Sequence, residues 1–136
     1  MGQVPDASLT AVQFEILEAA WGVADGASVA EIWEAIAASR DVGRTTILNL
    51  VDRLEKRGWL ARKKVDGVFR YTPTVSREKA AESVAADFVD AFFSGSASEL
   101  VMSLLGSKRI SAEEVEQLRG LLDARARDKQ GKEPRK

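Results

Sequence analysis

Apolar residues recur along the chain at two distinct periods. Val12, Ile16, Leu17 and Ala20 share one face of a predicted helix over about 11–21. Val29, Ile32, Trp33 and Ile36 do the same over about 29–39. Ile47, Leu50, Val51 and Leu54 give a third helix, about 44–57, ended by Gly58. The period then changes. Residues 59–64 and 68–72 are short, rich in β-branched and aromatic side chains, and separated by Asp66-Gly67. That dipeptide accepts the positive φ angles of a tight turn, so a β-hairpin is expected, ended by Pro73. Helical spacing returns over about 76–93, 97–105 and 112–127. Helix starts are marked by a Ser or Thr three residues before Glu or Gln: Thr10/Gln13, Ser28/Glu31, Ser96/Glu99 and Ser111/Glu114.

Three short helices followed by a hairpin describe a winged helix-turn-helix. The expected fold is mainly α with a small β-hairpin wing, joined to a C-terminal helical dimerisation region. The expected organisation is a DNA-binding domain over 1–74, a helical dimerisation domain over 75–127 and a disordered tail over 128–136.

Composition narrows the chemistry. The 136 residues include no Cys and no His. Thiolate chemistry, Cys-ligated metal and the commonest general base are excluded, and no catalytic constellation is visible. The chain is therefore read as a non-enzyme with no cofactor and no metal. No apolar run approaches the length needed to span a bilayer, so a cytoplasmic protein without membrane insertion is expected.

Charge is unevenly distributed. Residues 1–39 hold six acids and no Lys or Arg, whereas residues 40–70 hold nine bases and four acids. A net +5 in that block fits either a phosphate-binding face or a solvated basic surface. The outer face of the third helix favours the first reading. Thr45, Thr46 and Asn49 can address base edges, while Arg44, Arg53 and Lys56 can meet phosphate or guanine. Lys63, Lys64 and Arg70 lie around the wing turn. The expected partner is a double-stranded DNA operator. Winged helices also serve as protein-binding adaptors, and that alternative stays open. The C-terminal aromatic residues Phe88, Phe92 and Phe93 fit either a small-effector pocket, as in one-component regulators, or a dimer core. The expected homodimer interface comprises Val84, Phe88, Phe92, Leu100, Val101, Leu104, Leu118 and Leu122.

Several stretches resemble the penicillinase-repressor family. They are 9–17 (LTAVQFEIL) with Trp21, 44–58 (RTTILNLVDRLEKRG), 69–73 (FRYTP), 100–102 (LVM) and the Glu-rich 113–122. The resemblance covers about residues 8–125. It implies a homodimeric repressor of an inverted-repeat operator, paired through its C-terminal helices and controlling β-lactam resistance or related stress genes. It places Thr46 and Arg53 on the recognition helix and Lys63, Lys64 and Arg70 in the wing. Family members inactivated by a sensor protease are cut at an Asn-Phe bond; the matching candidate here is Ser103-Leu104. Copper-responsive members use a Cys-rich motif, which this chain lacks.

Overall fold

Each helix start is written in local hydrogen bonds. In the computed structural model, which describes residues 4, 5 and 8–132, α1 (Ala11–Ala20) begins with a full capping box. The Gln13 N–H donates to Thr10 Oγ1 at 3.2 Å and the Thr10 N–H donates to Gln13 Oε1 at 2.9 Å. Ser28 and Glu31 open α2 (Val29–Ala37) in the same way. Gly43 precedes α3 (Arg44–Lys56) without any side-chain cap.

The wing is an antiparallel pair, β1 (Leu60–Val65) and β2 (Val68–Pro73), in register from Leu60↔Pro73 to Val65↔Val68. Asp66 and Gly67 make the turn with φ of 52° and 82°, the pair of positive angles that a two-residue hairpin loop of right-handed twist requires. The hairpin is anchored to the helices by a bridge between Ala27 and Tyr71. Gly26 permits it: at φ +83°, a Cβ there would lie 2.8 Å from the Tyr71 carbonyl oxygen.

The core collects the predicted stripes. Ile16, Leu17 and Ala20 from α1 meet Ile32 and Ile36 from α2 and Ile47, Val51 and Leu54 from α3. Trp59, Leu60 and Tyr71 close this cluster from the hairpin side. Fully burying each large apolar side chain contributes about 1.5–3 kcal/mol. The other two tryptophans are half-buried and satisfied at the indole: Trp21 Nε1–H donates to the Val75 carbonyl and Trp33 Nε1–H to the Val42 carbonyl, both at 2.9 Å.

Helix α4 (Arg77–Phe92) contributes Ala80 to this same core, preceded by buried Val75. The chain divides into compact units after Phe88, so the first part of α4 packs with the winged helix. The second unit contains α5 (Ala97–Gly106) and α6 (Ala112–Lys132). The Ser111/Glu114 box at α6 is complete, with bonds of 2.9 and 3.1 Å. At α5 the Ser96 hydroxyl accepts from the Glu99 N–H at 3.2 Å and shares a hydrogen bond with Ser98.

Two expected boundaries need correction: the first unit runs to Phe88 rather than 74, because Val75 and Ala80 are buried in its core, and the last helix is longer than expected. Helix α6 continues to Lys132, into the segment expected to be a disordered tail from 128. The run Ala124-Arg125-Ala126-Arg127 leads into Lys129 and Gln130, all strong helix formers, and their propensity carries the helix past the polar composition. The rest of the expected tail, 133–136, lies outside the described residues. Among the described residues no single helix is long and apolar enough to cross a membrane.

Candidate nucleic-acid interface

The apolar stripe of α3 turns Ile47, Val51 and Leu54 into the core, which fixes what faces outward. At 100° per residue, Thr45, Asn49, Asp52 and Lys56 lie opposite that stripe, flanked by Leu48 on one side and Thr46 and Arg53 on the other. All seven are exposed. Thr and Asn in that position present both donors and acceptors to a base edge. Leu48, 48% exposed, is an apolar residue on this face that the polar pattern did not single out.

Ion pairing separates the basic residues into two groups. Lys56 pairs with Asp52 at 3.1 Å, one turn back on α3. Lys63 pairs with Asp25 at 3.6 Å, and Arg70 pairs with Glu31 at 3.0 Å while also donating to the Gly26 carbonyl at 3.0 Å. Arg40 is bound to Glu15 and Arg57 donates to the Ser8 carbonyl. Among the described residues, Arg44, Arg53, Arg62 and Lys64 make no ion pair.

Three of these four are held over aromatic rings. The Arg44 guanidinium carbon sits 5.5 Å from the Trp33 ring centre, linking α3 to α2. Arg62 and Lys64 both lie over Phe69, at 4.2 and 5.2 Å. The strand register explains this. Lys64 faces Phe69 directly across the hairpin and Arg62 is two residues away on the same face. Lys63 and Arg70 form a cross-strand pair on the opposite face, where Asp25 and Glu31 receive them. An aromatic ring orients a cation without neutralising it.

The Glu31 carboxylate serves two elements at once. It accepts from the Ser28 N–H, capping α2, and from Arg70 of the wing. The Ser28 bond first, then Arg70, holds its pKa below the ordinary carboxylate value. The Glu15 carboxyl is likewise lowered by its hydrogen bonds from Arg40, whose own pKa is raised by the same contact.

The sequence-predicted wing residues therefore divide. Lys64 is exposed beside Arg62 over Phe69, whereas Lys63 and Arg70 are engaged with acids of the α1–α2 loop and α2. Arg62 and Phe69 gain a place in the candidate site. The signal for them was present as alternation: Arg62, Lys64 and Phe69 share the period-2 face that ends in buried Leu60 and Tyr71.

The candidate dimer-interface residues sit in both units. Val84 is half-buried on α4 and Phe88 is 44% exposed at the end of the first unit. In the second unit, Phe92 is 69% exposed and Leu122 66%. Leu100 and Leu104 are half-buried. An open groove of about 250 Å³ is lined by Val101, Leu105, Ile110, Val115, Leu118 and Leu122, together with Arg119. A neighbouring groove of about 430 Å³ includes Leu104, Leu118 and Leu121. Met102, Leu105 and Leu121 join the exposed apolar set beyond the residues expected. After Ala80, none of the residues whose burial is described is buried. Ser103-Leu104 lies inside α5, with the Ser103 carbonyl accepting from the Ser107 N–H at 3.0 Å.

A family model described as penicillinase repressor matches residues 9–124. The methicillin resistance regulatory protein MecI of Mammaliicoccus sciuri is 28% identical over 115 residues, covering 85% of this chain and 93% of that protein. The transcriptional regulator BlaI of Mycobacterium tuberculosis is 29% identical over 111 residues, covering 79% of this chain and 77% of that protein. Among solved structures, a mutant of MepR from S. aureus matches with a TM-score of 0.51 at 21% identity, covering 88% of this chain and 80% of that one. This likeness shows the shared winged-helix fold.

Proposed function

The chain belongs to the penicillinase repressor family of DNA-binding transcriptional repressors, and from that premise we propose that it acts as a homodimer on an inverted-repeat operator. The observation that carries the DNA-reading part is the coincidence of an exposed Thr/Asn face on α3 with four cations that, among the described residues, pair with no acid. In this reading Thr45, Thr46 and Asn49 address base edges. Arg44 and Arg53 meet phosphate at the ends of α3, and Arg62 and Lys64 do so from the wing. Lys56 joins them only at the expense of its pair with Asp52, and Lys63 and Arg70 brace the wing.

The dimer reading rests on the second unit. Two helices without one buried residue among those described lack a core of their own; a second copy covering Val101, Leu105, Leu118 and Leu122 gives them one. A two-fold protein then matches a two-fold site. The expected regulated genes are those of β-lactam resistance or related stress responses, and the expected release is loss of the dimer. Cutting Ser103-Leu104 by a sensor protease is the candidate route, and because that bond is helical the last turns of α5 must first unwind.

The test is footprinting on genomic DNA combined with sedimentation of the free protein. A protected inverted repeat and a dimer support the proposal. A monomer that protects single half-sites refutes the dimer. No salt-sensitive DNA binding at all would leave the protein-adaptor reading.

A further inference from the structure

The chain reaches its C-terminal helices only through α4, and the start of α4 is fastened to α1 by several unlike contacts. Trp21, at the end of α1, donates its indole N–H to the Val75 carbonyl at 2.9 Å. Two residues on, Arg77 donates through Nη2 and Nε to Glu18 Oε2 at 2.7 and 3.2 Å. The Arg77 guanidinium carbon also lies 5.5 Å from the Phe14 ring centre. Phe14 in turn meets Trp21 edge to face at 5.5 Å. Ser76 caps the first turn by accepting from the Lys79 N–H at 3.1 Å, and Ala80 is completely buried in the core of the winged helix.

Linkers between independently moving bodies are exposed and make few contacts. This junction has the opposite character. The exposed Arg77–Glu18 pair contributes little stability by itself. Its effect is directional: the indole bond fixes the chain entering α4, Ala80 fixes the helix against the core, and Arg77 fixes its rotation.

We propose that this junction is a weld. It makes the first part of α4 a rigid extension of the DNA-reading unit, so that Glu18, Arg77 and Trp21 act as positioning residues that set the spacing between half-sites. The inference rests on the dimer reading above. Inserting two base pairs at the centre of an operator moves one half-site by about 7 Å and turns it by about 70°. A welded arm cannot follow both changes, so the second copy's winged helix disengages and the advantage of linkage, about a hundredfold, is lost. A loosened arm follows them in part.

The experiment compares the full-length protein with Glu18→Ala and with Arg77→Ala combined with Trp21→Phe, which keeps a ring at position 21 but removes its N–H. Each is titrated against the natural operator, the operator with two inserted base pairs, and an isolated half-site. The expected result is a loss of about a hundredfold on insertion for the unaltered protein, and about tenfold or less for the double variant, with half-site affinity unchanged. Glu18→Ala should fall between them. Equal insertion losses in all three proteins would overturn the weld. So would a fall in half-site affinity matching the fall on the full operator, since that marks a purely structural role. An unaltered protein that binds full and half operators alike overturns the dimer reading, and the weld with it.

Discussion

Removing individual cations from the wing tests whether ion pairing decides which of them meets DNA. Each phosphate contact that displaces a counterion makes log K fall against log salt with a slope of about −0.9. Arg62 and Lys64 lie over Phe69 and, among the described residues, pair with no acid, so each brings a whole charge to the backbone. Replacing both by Ala should flatten the slope by about 1.8 for each reading unit. Between 50 and 200 mM salt, that difference amounts to about 12-fold in relative affinity per unit.

Lys63 behaves differently because it travels with Asp25 at 3.6 Å. If Lys63 swings to a phosphate it exposes the Asp25 carboxylate near the same backbone, and the pair remains neutral as a whole. Lys63→Ala should therefore leave the slope nearly unchanged or flatten it only slightly, and Asp25→Asn should increase affinity. The assay is fluorescence anisotropy on one labelled operator across that salt range. A Lys63→Ala slope flattened as much as that of Arg62→Ala would refute the idea that pairing decides the contact set.

Thr46→Ala and Asn49→Ala should each cost about 1–3 kcal/mol on the specific operator while sparing nonspecific DNA, measured by competition titration. The Glu31 carboxyl has a folded-state pKa below its ordinary 4.5, so its contribution to stability is present above that value and is lost as pH falls through the lowered one. Melting temperatures of the unaltered protein and Glu31→Gln should therefore differ near neutrality and converge as pH falls through the lowered pKa. Leu118→Lys with Leu122→Lys should turn a dimer into a monomer in sedimentation, with the melting of the first unit retained. Ile47→Ala, made in the completely buried core, should cost about 2–5 kcal/mol in denaturant unfolding.

The winged helix was legible in the sequence because its signals are local. A capping box spans three residues and a hairpin turn two, so Thr10/Gln13, Ser28/Glu31 and Asp66-Gly67 could be read without knowing the fold. Helix α4 was legible as a helix but not in its allegiance. Periodicity finds an apolar stripe without saying what covers it, and only the burial of Val75 and Ala80 assigns the first part of α4 to the DNA-reading unit. The end of α6 was misplaced for a related reason: polar composition suggested a tail, while single-residue propensity sustained the helix.

Charge was legible in sign but not in pairing, since pairing depends on contacts distant along the chain. Arg40 finds Glu15 across 25 residues and Arg70 finds Glu31 across 39. Lys63 likewise reaches back to Asp25. These three acids belong to the acidic first 39 residues, and the three bases belong to the basic block. Much of the asymmetry that pointed to DNA is thus compensated inside the fold, where the first segment acts as counterion to the second. The bases left over are fewer than the block charge implies, but they are better placed. Arg44 and Arg53 lie near opposite ends of α3, and Arg62 and Lys64 lie together on one face of the wing. A net charge spread over 31 residues attracts any polyanion, whereas cations held by Trp33 and Phe69 in fixed orientations can select a groove geometry. The internal ion pairs therefore favour specificity over bulk affinity: they suppress nonspecific attraction and leave the oriented charges to act.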